Sequence, residues 1–181
     1  TIRLAHSPDP DDAFMWWPLV GLDGSGPLVD TGPFTFELVH DDIESLNAES
    51  ESGTYEITAI SCAHYPRVAD RYAFTACGAS LGEGYGPKLV SPRIRTIDEL
   101  LAGSPVVLVP GERTSALTAM RLMCPDDSFQ WRAVPFESIA RRLQDGEAEA
   151  GVLIHEGQLT WADDGLHLIA DLGAWWQGET G

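Results

Sequence analysis

Residues 151–154, Gly-Val-Leu-Ile, form a continuous apolar run with no polar alternation, and His155 follows at once. Such a run reads as a strand buried on both faces, which occurs in parallel or mostly parallel sheets with helices packed on each side. The rest of the chain keeps to that plan. Residues 2–6, 35–39, 56–60, 89–90 and 106–109 are further short strand-like runs, with helix signals between them. Thr96 and Glu99 make a Thr-x-x-Glu capping box, and Gly103 closes the helix it starts. Leu117, Met120 and Met123 share one helical face, as do Phe136, Ile139, Ala140 and Leu143 before Gly146. Strand and helix alternate along the chain, so the expected class is α/β.

The first helix is expected to start within Ser7-Pro8-Asp9-Pro10-Asp11-Asp12. Asp9 suits the N-cap, Pro10 the first helical position, and Asp11 and Asp12 the positive end of the dipole, with residues 13–20 as the apolar run. A second helix is expected over residues 42–52, closed by Gly53, with Ile43 and Leu46 buried and Asn47 one step beyond them at the surface. A third is expected from Ser61 through Val68. Residues 78–87, GASLGEGYGP, are too irregular for a dinucleotide fingerprint, lack a Walker lysine and lead into a strand. They read as a backbone crossover between two domains, residues 1–88 and 89–181.

Charge narrows the partners. Asp plus Glu number 28 against 11 Lys plus Arg, the net charge is −17, and Lys88 is the single lysine. Such a surface repels phosphate backbones and anionic bilayers, so nucleic acid and membranes are set aside as partners. Excess carboxylate with little lysine also suits a saline cytoplasm. Cys62, Cys77 and Cys124 are odd in number and lack CxxC spacing, which argues against a disulfide framework or zinc site. No run reaches the roughly 18 apolar residues of a membrane span, and the chain opens on a strand rather than a secretion signal. The expected location is the cytoplasm.

The chemistry-bearing residues share one placement. Ser7, Ser61, Thr114 with Ser115, and His155 each follow a separate strand, and in an open α/β sheet those ends line the ligand crevice. Ser61 could present a hydroxyl and backbone N–H groups to a ligand oxygen, but the GxSxG elbow of a nucleophile is missing. Thr114 and Ser115 begin a helix, and a plain N-cap accounts for either alone. His155 is titratable near neutrality, although the spacing alone allows a satisfied structural histidine equally. Zinc ligation is disfavoured because the second histidine of HExxH is missing. Neither metal nor cofactor is expected.

SPDPDD, DIESLN, ITAIS, GASLGEGYGP, PGERTSA, IHEGQLT and DLGAWW, in that order, resemble the 1,4-dihydroxy-6-naphthoate synthases of the futalosine route to menaquinone. IHEGQLT separates that family from the chorismate dehydratase of the same pathway. The resemblance implies a periplasmic-binding-protein-like (type II) fold of two α/β domains with a cleft between them. It also implies conversion of cyclic dehypoxanthinylfutalosine to 1,4-dihydroxy-6-naphthoate with loss of a dihydroxyacetone fragment. His155 matches the family's general base; Ala59, Ile60, Ser61, Thr114 and Ser115 match its substrate contacts; Asn47 matches a residue near the ligand. Ser115 stands where the family usually has threonine, which keeps the hydroxyl.

Relatives continue past the position of Gly181 into helices that return to the first domain. Faces those helices would cover are therefore expected to be exposed as an apolar patch or buried by another chain, which leaves a homodimer open. A substrate carboxylate suits N–H groups and hydroxyls at Ser61, Thr114 and Ser115, and proton abstraction beside a carbonyl suits neutral histidine. The alternatives are a carboxylate-binding protein of this fold without catalysis, and the dehydratase.

Overall fold

The computed structural model describes residues 1–22, 24–124, 128–155 and 157–181; Glu156 of the histidine motif lies outside the described residues. The chain divides into two compact units, Thr1–Leu81 and Gly82–Gly181.

The first unit is built on three parallel strands, β1 (Ile2–His6), β2 (Phe36–His40) and β3 (Ile57–Thr58), in the order β2-β1-β3. β1 lies in the middle, pairing Ile2 with Phe36 through His6 with His40 on one side and Leu4 with Ile57 on the other. Its burial deepens along its length, and Leu4, Ala5 and His6 are buried. β3 is shorter than the expected run over residues 56–60. At its start the Glu56 carboxylate accepts the Arg3 backbone N–H at 2.8 Å and pairs with the Arg3 guanidinium at 2.8 Å, so a side chain takes the place of a ladder bond there.

Helix α1 (Ala13–Val20) starts later than expected, with Asp12 at the N-cap. The Asp9 carboxylate accepts the Ser7 hydroxyl, and the Asp9 carbonyl accepts the Asp12 N–H at 3.1 Å, so these residues form a turn. Asp12 itself accepts the Ser7 N–H at 3.0 Å and does not cap the helix with its side chain. No residue of α1 is buried. Phe14 is 78% exposed and, with Ala13, Trp17 and Leu22, lines a shallow apolar depression.

Helix α2 (Ile43–Ser50) is capped by Asp42, whose carboxylate accepts the N–H groups of Glu44 at 2.9 Å and Ser45 at 3.2 Å. Its inward residues are Leu46, Asn47 and Ser50, so the expectation of an exposed Asn47 is corrected. The helix expected from Ser61 through Val68 is a 3-10 helix over Cys62–Arg67, with Ser61 at its N-cap and Val68 at its C-cap. Pro66 supplies no N–H to an α-helical ladder, which favours the tighter turn.

The second unit is a five-stranded sheet of order β6-β5-β7-β4-β8. In chain order its elements are β4 (Lys88–Ser91), α3 (Ile97–Leu101), β5 (Val106–Val109), α4 (Ser115–Met123), β6 (Gln130–Ala133), α5 (Ile139–Gln144), β7 (Ala150–Leu153), α6 (Gly157–Thr160), β8 (His167–Asp171) and α7 (Leu172–Thr180). β5 runs parallel to β6 and β7, whereas β4 runs antiparallel to β7 and β8.

Successive residues of the central strands enter opposite faces. Leu89, Val107, Val109, Ala150 and Val152 pack with Leu100, Leu117, Met120 and Leu172, and Val90, Leu108 and Leu153 pack with Ile139, Leu143 and Leu166. This two-sided core is what the unbroken apolar runs require. Gly151 faces α5, where a Cβ would lie 2.6 Å from Ile139 Cγ2. The expected capping box is modified: Thr96 accepts the Glu99 N–H at 3.2 Å, but Glu99 reaches back to the Arg95 N–H at 3.0 Å, one residue before the cap. Among the described residues, no helix is long and apolar enough to cross a membrane.

Candidate active site

In the first unit the candidate residues gather where β1 and β3 end. Asn47 is fully buried on α2 and its amide grips Ser61 twice: Nδ2 donates to Ser61 Oγ at 3.0 Å, and Oδ1 accepts the Ser61 N–H at 2.8 Å. This arrests the residue at the strand-to-helix junction. Ala59 extends the ladder with its N–H on the Ala5 carbonyl at 2.8 Å, and Ala59, Ile60 and Ser61 are all half-buried. The Ser61 N–H is committed to Asn47; its hydroxyl keeps a proton to donate. Ser7 is buried, with its N–H on Asp12 and its hydroxyl on Asp9. It serves the turn rather than a ligand.

His6, one residue earlier, stacks with Trp16 at 4.7 Å and meets His40 edge-on at 4.3 Å. Its Nδ1 lies 2.6 Å from the Ser7 carbonyl. A carbonyl can only accept, so Nδ1 carries the proton when the ring is neutral. Burial holds the imidazole below its ordinary range, the Ser7 carbonyl opposes that, and His40 adds to it.

In the second unit β5 and β7 are parallel neighbours, with Val107 beside Ala150 and Leu108 beside Gly151. Thr114, Ser115 and His155 therefore leave the sheet at the same edge. Thr114 is the N-cap of α4: its Oγ1 donates to the Gly111 carbonyl at 2.9 Å and accepts the Leu117 N–H at 3.2 Å. It is buried, while Ser115, in the first turn, is exposed. Lys88 forms an ion pair with Asp171 on the neighbouring strand. Burial pushes the Asp171 carboxyl upward, but the Lys88 ammonium and the N–H groups of Ala174 and Gly173 outweigh it, and the net direction is down. The single lysine is thus matched by an internal carboxylate. At this edge the α4 start presents backbone N–H groups and the Ser115 hydroxyl at the positive end of the helix dipole.

His155 follows β7 with φ at 53°, one of two positive-φ non-glycine residues among those described. For such a residue the left-handed region costs about 1–2 kcal/mol, and strain of this kind concentrates at functional sites. The imidazole meets Phe136 edge-on at 4.7 Å, which fixes the ring against the turn preceding α5. Phe136 reads in sequence only as one position of an amphipathic face. Gln158 is a second contributor that sequence patterning does not disclose. With its amide assigned by hydrogen-bond partners, its oxygen accepts the His155 N–H at 3.2 Å and its nitrogen donates to the Gly86 carbonyl at 2.6 Å.

The GYGP crossover owes its glycines to contact as much as to conformation. Gly84 has φ at 72°, but a Cβ on Gly86 would lie 2.7 Å from Gly173, so the segment runs backbone to backbone over the start of α7.

Comparison with known proteins agrees with this architecture. The chain is 36% identical over 180 residues to a 1,4-dihydroxy-6-naphthoate synthase of Thermus thermophilus, covering 99% of this chain and 62% of that protein. It is 34% identical over 186 residues to the enzyme of that name from Streptomyces coelicolor, covering 100% and 62%. A crystal structure of a protein from Archaeoglobus fulgidus superposes with a TM-score of 0.87 at 39% identity, over 99% of this chain and 63% of that one. The chain thus spans 62% of the length of both curated relatives. Binding components of ABC transporters at 10–14% identity superpose with TM-scores of 0.58–0.63, and the fold is the periplasmic-binding-protein-like type II fold. The family profile described as menaquinone biosynthesis matches residues 2–181, and the chain belongs to that family.

Proposed function

We propose that this chain carries the catalytic histidine and the anion grip of a carbon–carbon lyase. The lyase converts cyclic dehypoxanthinylfutalosine to 1,4-dihydroxy-6-naphthoate with release of a dihydroxyacetone fragment, in the cytoplasm, the compartment that suits three free cysteines. The observation that carries the reading is His155: a non-glycine residue held at positive φ two residues past the buried strand β7, its ring braced by Phe136. A side chain kept in that conformation is aimed, and an imidazole aimed from a strand end can remove a proton beside a carbonyl.

In this reading Ser115 and the α4 start hold a substrate carboxylate, with Thr114 fixing that start through its own two hydrogen bonds. The Ser61 hydroxyl, with Ala59 and Ile60, makes the contacts contributed by the first unit, and Asn47 supports them through Ser61. Aromatisation of the product supplies the driving force, and neither metal nor cofactor enters the scheme.

The test is product detection by mass spectrometry after incubation with the cyclic substrate, with chorismate as a parallel arm, for wild type and His155→Asn. Asparagine keeps polarity and approximate size but cannot take the proton, so the rate should fall roughly 10²–10⁴-fold while calorimetric affinity stays near wild type. Full activity in the variant would refute the assignment. Loss of affinity with normal turnover at saturation would make His155 a clamp. Tight binding without product from the wild type would leave a carboxylate-binding protein.

A further inference from the structure

The His155 backbone is strained, so something must hold it, and the structure shows what does. Gln158 closes a ring on the histidine: its own N–H donates to the His155 carbonyl at 3.0 Å, and its side-chain oxygen accepts the His155 N–H at 3.2 Å. The remaining amide nitrogen donates to the Gly86 carbonyl at 2.6 Å. Gly86 is itself immobilised. A Cβ on Gly173 would fall 2.2 Å from the Tyr85 carbonyl and 2.4 Å from Gly86 N, and the Leu172 N–H donates to the Pro87 carbonyl at 2.9 Å. The crossover segment therefore lies flat against the start of α7, and its carbonyl is a fixed anchor.

Glutamine is suited to this position because one side chain offers both an acceptor and a donor. Glutamate could accept from His155 but would set a carboxylate against the Gly86 carbonyl, and methionine could do neither. α6 comes close enough for the contact because it packs directly over β7: a Cβ on Gly157 would stand 3.4 Å from Leu153 Cβ.

We propose that Gln158 is a positioning residue for His155, tying the histidine's backbone to the Gly86 carbonyl so that the imidazole is held in its working orientation. Its catalytic consequence rests on the reading of His155 as general base. It touches no reacting atom in this scheme and acts through the backbone of its neighbour three residues earlier.

The experiment compares Gln158→Met, Gln158→Glu and wild type by two independent readouts. Backbone amide exchange at His155, measured by NMR with the β7 amides as internal controls, should speed up roughly tenfold in Gln158→Met, the equivalent of one lost hydrogen bond. The β7 amides should not change. Turnover with the cyclic substrate should show kcat lowered at least as far in Gln158→Met, with KM within about twofold because binding groups are untouched. Gln158→Glu, which keeps the acceptor alone, should fall between. Unchanged exchange at His155 in both variants would overturn the proposal, as would a KM increase at constant kcat. If the methionine variant does not fold, Gln158→Glu carries both readouts. If wild type forms no product, the general-base reading fails, and the exchange measurement still decides whether Gln158 holds His155.

Discussion

Asn47 offers the sharpest test of how the first unit holds its candidate residues. Asn47→Ala removes both amide contacts to Ser61, at 3.0 and 2.8 Å, from a position with no solvent access. Two bonds at about 0.5–1.5 kcal/mol each put the loss near 2 kcal/mol, part of it the cost of leaving the Ser61 N–H without its acceptor. The buried apolar residues of this unit are few, chiefly Leu4, Ala5, Leu46 and Val68, so that loss is a large share of its stability.

Ser61→Ala removes only the hydroxyl contact and leaves the N–H bond to Oδ1, so it should cost about 1 kcal/mol. The two changes share one interaction, and the double variant should therefore fall short of additivity by about 1 kcal/mol. Equilibrium urea unfolding followed by circular dichroism and tryptophan fluorescence reads these differences as midpoint shifts on the order of 1 M. Additivity within roughly 0.5 kcal/mol would refute the pairing. So would an Asn47→Ala variant as stable as wild type, since a residue kept only for ligand contact could be removed without such a loss.

Gly151→Ala should destabilise the second unit by about 1–3 kcal/mol, because the new Cβ would meet Ile139 Cγ2 at 2.6 Å and Leu143 Cδ1 at 3.1 Å; a calorimetric melt checks it. Acid should act in two steps. The His6 imidazole is held below its ordinary value by burial, so its contribution is complete above about 6.5 and declines as pH falls below that value; urea midpoints across pH should show the step, and His6→Phe should remove it. Asp42 and Asp171 are held low despite burial, Asp42 by Ser45 and Glu44 and Asp171 by Lys88, so their contribution persists above the ordinary value of 3.8 and is lost below it.

Much of the fold was legible because its strands are short, apolar and separated by strong caps. The spans of β1 and β5 are those the sequence marks, and Thr96 and Thr114 cap the helices they were expected to cap. His155 follows its strand as expected, although that strand covers Ala150–Leu153 rather than residues 151–154. The edges were not legible. β6 is exposed along its whole length and carries no apolar run, so nothing in its pattern competes with loop. The reversed direction of β4 has no signature either, because period and composition do not encode orientation.

At the site, residue type and strand-end placement were visible, but the bonds were not. Asn47 looked like a surface position because one step around a helix separates outside from inside, and its partner Ser61 is distant in sequence. The Gln158 clamp has no sequence signal for the same reason, since its anchor at Gly86 belongs to a segment that sequence alone presents as a crossover between domains.

The antiparallel entry of β4 has a consequence for the order in which the molecule assembles. Because β4 runs against β7, its first residue, Lys88, pairs with Leu153 at the last position of β7, and the segment before it arrives beside His155. A parallel strand in that place would have delivered the segment to the other end of the sheet. His155 and Gln158 can meet as soon as the local turn forms, but their anchor arrives only when a distant stretch of chain has zipped into the middle of the sheet. Long-range pairing of that kind is slow, because the entropy of closing the intervening chain is lost before contacts return it. The strained histidine is thus completed late, so after dilution from denaturant helical signal is expected to return before amide protection at His155.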